Sequence, residues 1–365
     1  MTRKYSIWHT LTVCGERRSF RIGRSTAHKI IPETCEAIIS TLQPIYFPPM
    51  TRDMWRNVTD GFWQKCNFPN CIGAVDGKHI RIKAPKNSGS QFFNYKKFFS
   101  IVLMAANYVF TWVDLEFYGS MNDGAIWTNS DFGTALEQGT ADLPHSEPLP
   151  GGVEPFPFSF VGDEAFPLKP YMMRLYAKPK GRRRQNDEAL RNEAALDSDE
   201  DPVDVDPALQ ALTMPQRIFN YRLSKARRVI ENTFGILVAK WQILAGQICS
   251  KVENAESIVM ALLCLHNFLI ESDLPEAPQH RNYLRPGLID GEGPNSEPLE
   301  NGEWRNEVQP GGVLHRVNRV EGLNPARAVI DQRDKLRDFF LTEVGEVIWQ
   351  YDYAFRNVPI VRGSL

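Results

Sequence analysis

Three carboxylates stand where carboxylates are uncommon. Asp76 lies inside the apolar run Ile72-Gly73-Ala74-Val75-Asp76-Gly77, Asp163 ends the run Phe160-Val161-Gly162-Asp163, and Glu231 falls in a long stretch of helical spacing. A charged residue within or at the end of a buried strand is rare unless it is paired or holds a cation. Hydrolysis of a phosphodiester by two divalent cations needs carboxylates converging from different elements, because Mg²⁺ is a hard ion that takes oxygen ligands. Asp123 is a further candidate with two readings. Beside Gly119 and Ser120 it suits the cap of a following helix, or it could face the metals as an auxiliary ligand. Glu231 also has two, since Arg227 and Arg228 precede it by one helical turn and could pair with it. Taken alone, Asp76-Gly77 reads as a turn.

The elements that must position these groups can be read from apolar spacing. Residues 71–83 and 98–107 are apolar and β-branched and residues 111–118 alternate, which predicts three consecutive strands. Residues 120–136 predict one helix opened by a Ser or Asn cap, and residues 158–162 a short strand that ends at Asp163. Residues 217–241 place Phe219, Leu223, Ala226, Ile230, Phe234, Leu237 and Trp241 at steps of three and four, a long amphipathic helix. Residues 255–270 repeat the pattern, with His266 on the apolar face as a hydrogen-bonded core histidine. Strands, helix, strand and then helices imply a mixed α/β layer sandwich.

Several of these segments together resemble the PIF/Harbinger superfamily of DDE transposase-derived nucleases. The resemblance rests on Cys71-Ile-Gly-Ala-Val-Asp76-Gly-Lys-His-Ile80, Phe117-Tyr-Gly-Ser-Met-Asn-Asp123, Val161-Gly-Asp163-Glu-Ala-Phe-Pro-Leu168, the stretch from Phe219 through Glu231 to Gly235, and Leu265-His-Asn-Phe-Leu269, in that order. It implies an RNase H-like fold whose mixed sheet is flanked by helices, with Asp76 on the first strand, Asp163 after the fourth and Glu231 on a later helix. It also implies that these three are the catalytic carboxylates of a DNA endonuclease or transposase and hold Mg²⁺ or Mn²⁺, Asp76 bridging two ions. The alternative is a domesticated, inactive relative serving as a DNA- or protein-binding module. Two departures stand out: Glu164-Ala165-Phe166 follows Asp163 where the family has Gly-Tyr, and an acidic insertion lengthens the path to Glu231.

The formal charge of −2 hides an uneven distribution. Residues 1–184 carry 23 Lys and Arg against 16 Asp and Glu, residues 185–210 one against nine, and residues 211–271 seven against four. Outside the acidic insertion the catalytic part is therefore basic, which suits DNA. Lys78, Arg81, Arg222, Lys225, Arg227 and Arg228 border the proposed site, and Arg24 sits in a segment resembling part of a helix-turn-helix; all seven are candidate DNA contacts. The expected organisation is a truncated helical region at 1–60, the nuclease domain at 61–271 with a disordered insertion near 180–215, an irregular segment at 272–324 and a helical segment at 325–365.

The longest apolar stretches are short or interrupted, so no membrane association is expected. The six cysteines are scattered and the start lacks a secretory core, which implies an intracellular setting without structural zinc. The resemblance adds a nuclear location, alongside the cytoplasm, and a Myb-like DNA-binding partner protein; assembly as a homo-oligomer is left open.

Overall fold

In a computed structural model, residues 23–177, 212–288, 290, 302–307 and 325–355 are described. The run around Asp76 forms β1 (Cys71–Arg81), which pairs antiparallel with β2 (Ser100–Ala106), Asp76 opposite Ala105. β2 in turn pairs antiparallel with β3 (Trp112–Tyr118). After a separate hairpin of β4 (Glu147–Pro148) and β5 (Pro155–Phe156), β6 (Ser159–Val161) adds parallel to β1 and β7 (Met172–Met173) parallel to β6. The five-stranded order β3-β2-β1-β6-β7 is the mixed, RNase H-like sheet that the sequence implied.

Both faces of this sheet are covered. Ala74, Ile80, Leu103 and Ala105 enter one apolar core while Ile72, Val75, Val102 and Met104 enter another. From Ala74 onward that alternation follows from the two-residue period of a strand, and an irregularity in register between Cys71 and Gly73 puts Ile72 on the second face; covered on both faces, β1 and β2 read as continuous apolar runs. Asp76 shares the parity of Ala74 and Ile80 and so belongs to the first face, whereas Gly77 belongs to the second.

Helices α1 (Arg24–Tyr46) and α2 (Arg52–Cys66) precede the sheet; α2 is capped by Thr51 Oγ1 accepting from Met54 N at 3.3 Å and ends on Asn67 in the left-handed region. The single helix expected over residues 120–136 is instead two, α3 (Asp123–Asn129) and α4 (Asp131–Gln138). Ser130 divides them: its hydroxyl donates to Trp127 O at 2.8 Å and accepts from Gly133 N at 3.0 Å, closing one helix and capping the next. Helix α5 (Met214–Lys240) starts at Thr213, whose N–H donates to Gln216 Oε1 at 3.0 Å, and lays Phe219, Leu223, Ile230, Phe234 and Leu237 on the first face.

Helix α6 (Val252–Asp273) packs against α1. It is long and apolar enough to cross a membrane by length and composition, and more than half of that window is buried in the protein. His266 is fully buried, as expected, with Nδ1 2.7 Å from Tyr283 Oη and Nε2 3.2 Å from Tyr108 O. Beyond the one-turn α7 (Trp304–Glu307), α8 (Arg327–Phe339) and α9 (Gln350–Phe355) return to pack on α5. Residues 1–22, 178–211 and most of 289–324, which include the basic run at 178–184 and the acidic insertion, lie outside the described residues.

Candidate active site

Four acidic side chains reach one region from four elements. Asp76, in the middle of β1, is 6% exposed, and Asp163, two residues past the end of β6, is 9% exposed. The turn after Asp163 holds it in place: Asp163 Oδ1 accepts from Ala165 N at 2.8 Å, and Phe166 is fully buried. Glu164-Ala165-Phe166 therefore keeps the second aspartate anchored despite its departure from the family pattern. Glu231 projects from α5 and is paired with Arg227, one turn earlier on the same helix. Asp123, the first residue of α3, is 1% exposed, and Asn122 rather than Asp123 caps the helix, accepting from Ala125 N at 2.8 Å.

Gly77 makes the approach of Asp123 possible. A Cβ at this position would lie 2.3 Å from Asp123 Oδ1, so any larger residue would collide with the carboxylate. That same Oδ1 is buried with no hydrogen-bond partner. A buried carboxylate oxygen left without a donor is costly.

The electrostatics follow from this crowding. Burial pushes the Asp76 carboxyl up to about 7, with Asp163 and Glu231 adding to the rise and Arg227 opposing it. Burial, then Asp76 and Asp163, push Asp123 well above the ordinary carboxylate range, against the pull of Lys96. Burial works against the charge on Arg227, but Asp76, Glu231 and Asp163 together hold its guanidinium protonated. The site thus has more negative charge than its arginine can offset.

No three His, Cys, Asp or Glu side chains among the described residues are grouped closely enough to hold a metal ion, and Glu231 is paired with Arg227. The donors are nonetheless all oxygens, in mutual repulsion and with one oxygen unpartnered. In chemistry they fit a hard divalent cation.

Comparison with known proteins identifies the family. The model of the family described as DDE superfamily endonuclease matches residues 75–267, which contain all four carboxylates. The chain belongs to this DDE endonuclease family. It is 25% identical over 296 residues to "Protein ALP1-like" of Arabidopsis thaliana, covering 77% of this chain and 63% of that protein. It is 22% identical over 256 residues to "Putative nuclease HARBI1" of both Bos taurus and Homo sapiens, covering 68% of this chain and 60% of each relative. The chain thus spans about three fifths of the length of the curated relatives it matches, and no solved structure matches it.

In this member of the DDE endonuclease family the basic candidates separate into two groups. Arg222 is fully buried, donating to Gly345 O at 3.1 Å, to Gln350 Oε1 at 2.9 Å and to Asn67 O, and it stacks on Phe340. Lys225 is 2% exposed, its ammonium 4.6 Å from the centroid of Trp349. Neither lies on the polar stripe of α5 where a phosphate could meet it. The return of the segment after α8 covers that side of the helix, and a long-range contact of this kind is invisible to helical periodicity. Their assignment as DNA contacts is corrected accordingly.

Arg227 is half-buried among the carboxylates, Arg228 is half-buried and acts on Asp290, and Arg81 is exposed with its guanidinium 4.4 Å from the centroid of Phe98. Lys78 is buried beside Asp76, its ammonium pushed down to about 8 by burial and by Lys96. Arg24 opens α1, and its side chain lies outside the described residues.

Two residues near the site were absent from the sequence reading. Lys96 pulls on Asp123 and is itself lowered by burial against the opposing Asp123 and Asp76, and burial, then Asp123, Asp163 and Asp76, raise the Tyr95 hydroxyl. A signal existed: residues 77–113 contain Lys78, Arg81, Lys83, Lys86, Lys96 and Lys97 and no Asp or Glu.

Proposed function

We propose that this chain is a divalent-cation-dependent endonuclease that hydrolyses DNA phosphodiesters. The carrying observation is the convergence of the buried Asp76, Asp163 and Asp123 with the half-buried Glu231, with Arg227 as the cation among them. A fold alone does not fix a function, and it is this excess of unneutralised oxygen donors that supports the reading. Asp76, Asp163 and Glu231 would hold Mg²⁺ or Mn²⁺, with Asp123 auxiliary. Such an ion supplies an activated water and charge stabilisation at the phosphoryl group. The chain's own residues do the rest: β1 and the turn after β6 fix two carboxylates, and Arg227 keeps Glu231 beside them. Lys78, Arg81 and Arg228 supply positive charge for the DNA backbone. Strand transfer, a Myb-like partner and nuclear location are part of the same proposal and rest on the family resemblance.

A second reading, a non-catalytic DNA- or protein-binding module, draws on one observation: Glu231 is paired with Arg227 and no three-carboxylate metal group is formed among the described residues. Supercoiled plasmid incubated with the protein in Mg²⁺, Mn²⁺ or EDTA separates the two. Nicking that requires metal and disappears in Asp76→Asn and Glu231→Gln, both checked for folding by circular dichroism, is the expected result. Wild type and variants behaving alike with partner protein and element ends supplied would sink the enzyme reading and leave the module.

A further inference from the structure

The connection between β1 and β2 is a built structure. Asn94 is 2% exposed and its side chain organises the tip: Oδ1 accepts from Lys96 N at 3.0 Å and Phe98 N at 3.2 Å, while Nδ2 donates to Ser100 Oγ at 2.9 Å. Ser100 Oγ lies in turn 3.0 Å from His79 Nδ1 on β1. Asn94 N donates to Phe98 O and Lys97 N to Asn94 O, and Lys97 takes the left-handed backbone that so tight a reversal demands. The tip is therefore held in one conformation before any ligand arrives, which lowers the entropic cost of binding.

What this tip presents is unusual for a surface turn. Tyr95 is 44% exposed and Phe93 40% exposed, and across the sheet edge Tyr118, packed against Phe92, is 40% exposed. The Tyr95 ring stands edge-on to His79 at 5.6 Å, with the Lys96 ammonium 5.5 Å from its centroid. Lys96 makes no ion pair among the described residues. The surroundings, residues 77–113, carry six cations and no anion, immediately beside a cluster of carboxylates. An acidic or cationic partner protein would meet one of these two fields with the wrong sign, whereas a phosphodiester strand running to a cation-loaded carboxylate site suits both. Aromatic faces interleaved with Lys and Arg bind nucleotides that have left the base stack, because a paired base already stacks on its neighbours.

We propose that the β1–β2 connection is a platform for an unpaired stretch of the DNA strand beside the scissile phosphate, with Tyr95 stacking a base and Lys96 holding the flanking phosphate. This rests on the nuclease reading and narrows its substrate: DNA with unpaired nucleotides next to the cut is preferred over continuous duplex.

Fluorescence anisotropy of the full chain in EDTA, with a continuous duplex and the same duplex carrying three unpaired nucleotides, tests it without cleavage. The unpaired substrate should bind roughly 10-fold tighter, and a 2-aminopurine placed in the unpaired stretch should be quenched on binding. Tyr95→Ala should abolish both the preference and the quench, while Tyr95→Phe retains them, which separates stacking from misfolding. Lys96→Met should weaken both substrates and lower the salt dependence by about one phosphate contact. Equal affinity for the two substrates, or a quench unchanged in Tyr95→Ala, overturns the platform. In that case metal-dependent plasmid nicking, measured separately, still upholds the nuclease reading; absence of all DNA binding removes both.

Discussion

Two buried polar regions, one on α6 and one at the carboxylates, are built on opposite terms. In α6, Asn267 is fully buried, and its amide is saturated: Oδ1 accepts from Phe110 N at 2.9 Å while Nδ2 donates to Phe110 O at 2.8 Å and Tyr46 O at 3.2 Å. Its neighbour His266 has a partner on each ring nitrogen. At the carboxylate site, Asp123 Oδ1 has none, burial pushes Asp76 up to about 7 with Asp163 and Glu231 adding to the rise, and burial, then Asp76 and Asp163, raise Asp123. Burial alone therefore does not mark a functional residue. A polar group that is buried and complete organises the fold, and one that is buried and left in repulsion awaits a ligand.

The two regions should respond to mutation in opposite directions. Asp76→Asn removes a charge that burial and two neighbouring carboxylates oppose, so metal-dependent nicking should fall by roughly 10³-fold or more, equivalent to about 4 kcal/mol of barrier. The same variant should unfold at higher urea in EDTA, by an amount on the order of 1–3 kcal/mol. Loss of activity together with loss of stability would show that Asp76 is structural and break the contrast. Asn267→Ala should do the reverse. It strands the backbone N–H and C=O of Phe110 in the core and should cost about 2–4 kcal/mol of stability. Any protein that remains folded should nick plasmid at near the wild-type rate.

The sequence made much of one region legible and little of the other. The strands, α5 and the positions of Asp76, Asp163 and Glu231 on them follow from period and motif, because a strand covered on both faces must be a continuous apolar run. The two saturated residues of α6 were only half readable: His266 was assigned to the core from its helical face, but no local pattern announces that Asn267 reaches Phe110 and Tyr46 from far along the chain. Arg222 and Lys225 were misplaced for the same reason, since their partners Gln350 and Trp349 come from the other end of the chain. Lys96 and Tyr95 went unread because a turn carries no periodicity to aim its side chains.

Gly77 gives a smaller, sharper test. In Gly77→Ala the new methyl must displace the Asp123 carboxylate, which belongs to a packed helix start rather than a flexible surface chain. A stability loss of about 1–3 kcal/mol is expected, with a drop in nicking that Asp123→Asn, which leaves the space filled, does not reproduce in stability. If Gly77→Ala is as stable and active as wild type, the close approach of Asp123 to β1 is not needed.

The slope per pH unit is a finer test, because the two regions titrate with opposite sign. Burial lowers His266 from 6.5 to about 4, so the unfolded chain takes up its proton first as the pH falls. Its contribution to stability is full above 6.5 and is lost at about 1.4 kcal/mol per pH unit on the way down to 4. Asp76 is raised from 3.8 to about 7, so the folded chain takes up that proton first, and acidification over the same window stabilises the fold. His79, lowered to about 4, adds to the histidine side. The wild-type profile is then the near-cancellation of both, and only the difference between wild type and His266→Gln, measured by urea unfolding at each pH, isolates the helix. That difference should shrink by up to about 1.4 kcal/mol per unit between pH 6.5 and 4. A difference that stays flat would mean that His266 protonates as readily in the folded protein as in the unfolded chain, which its complete burial opposes.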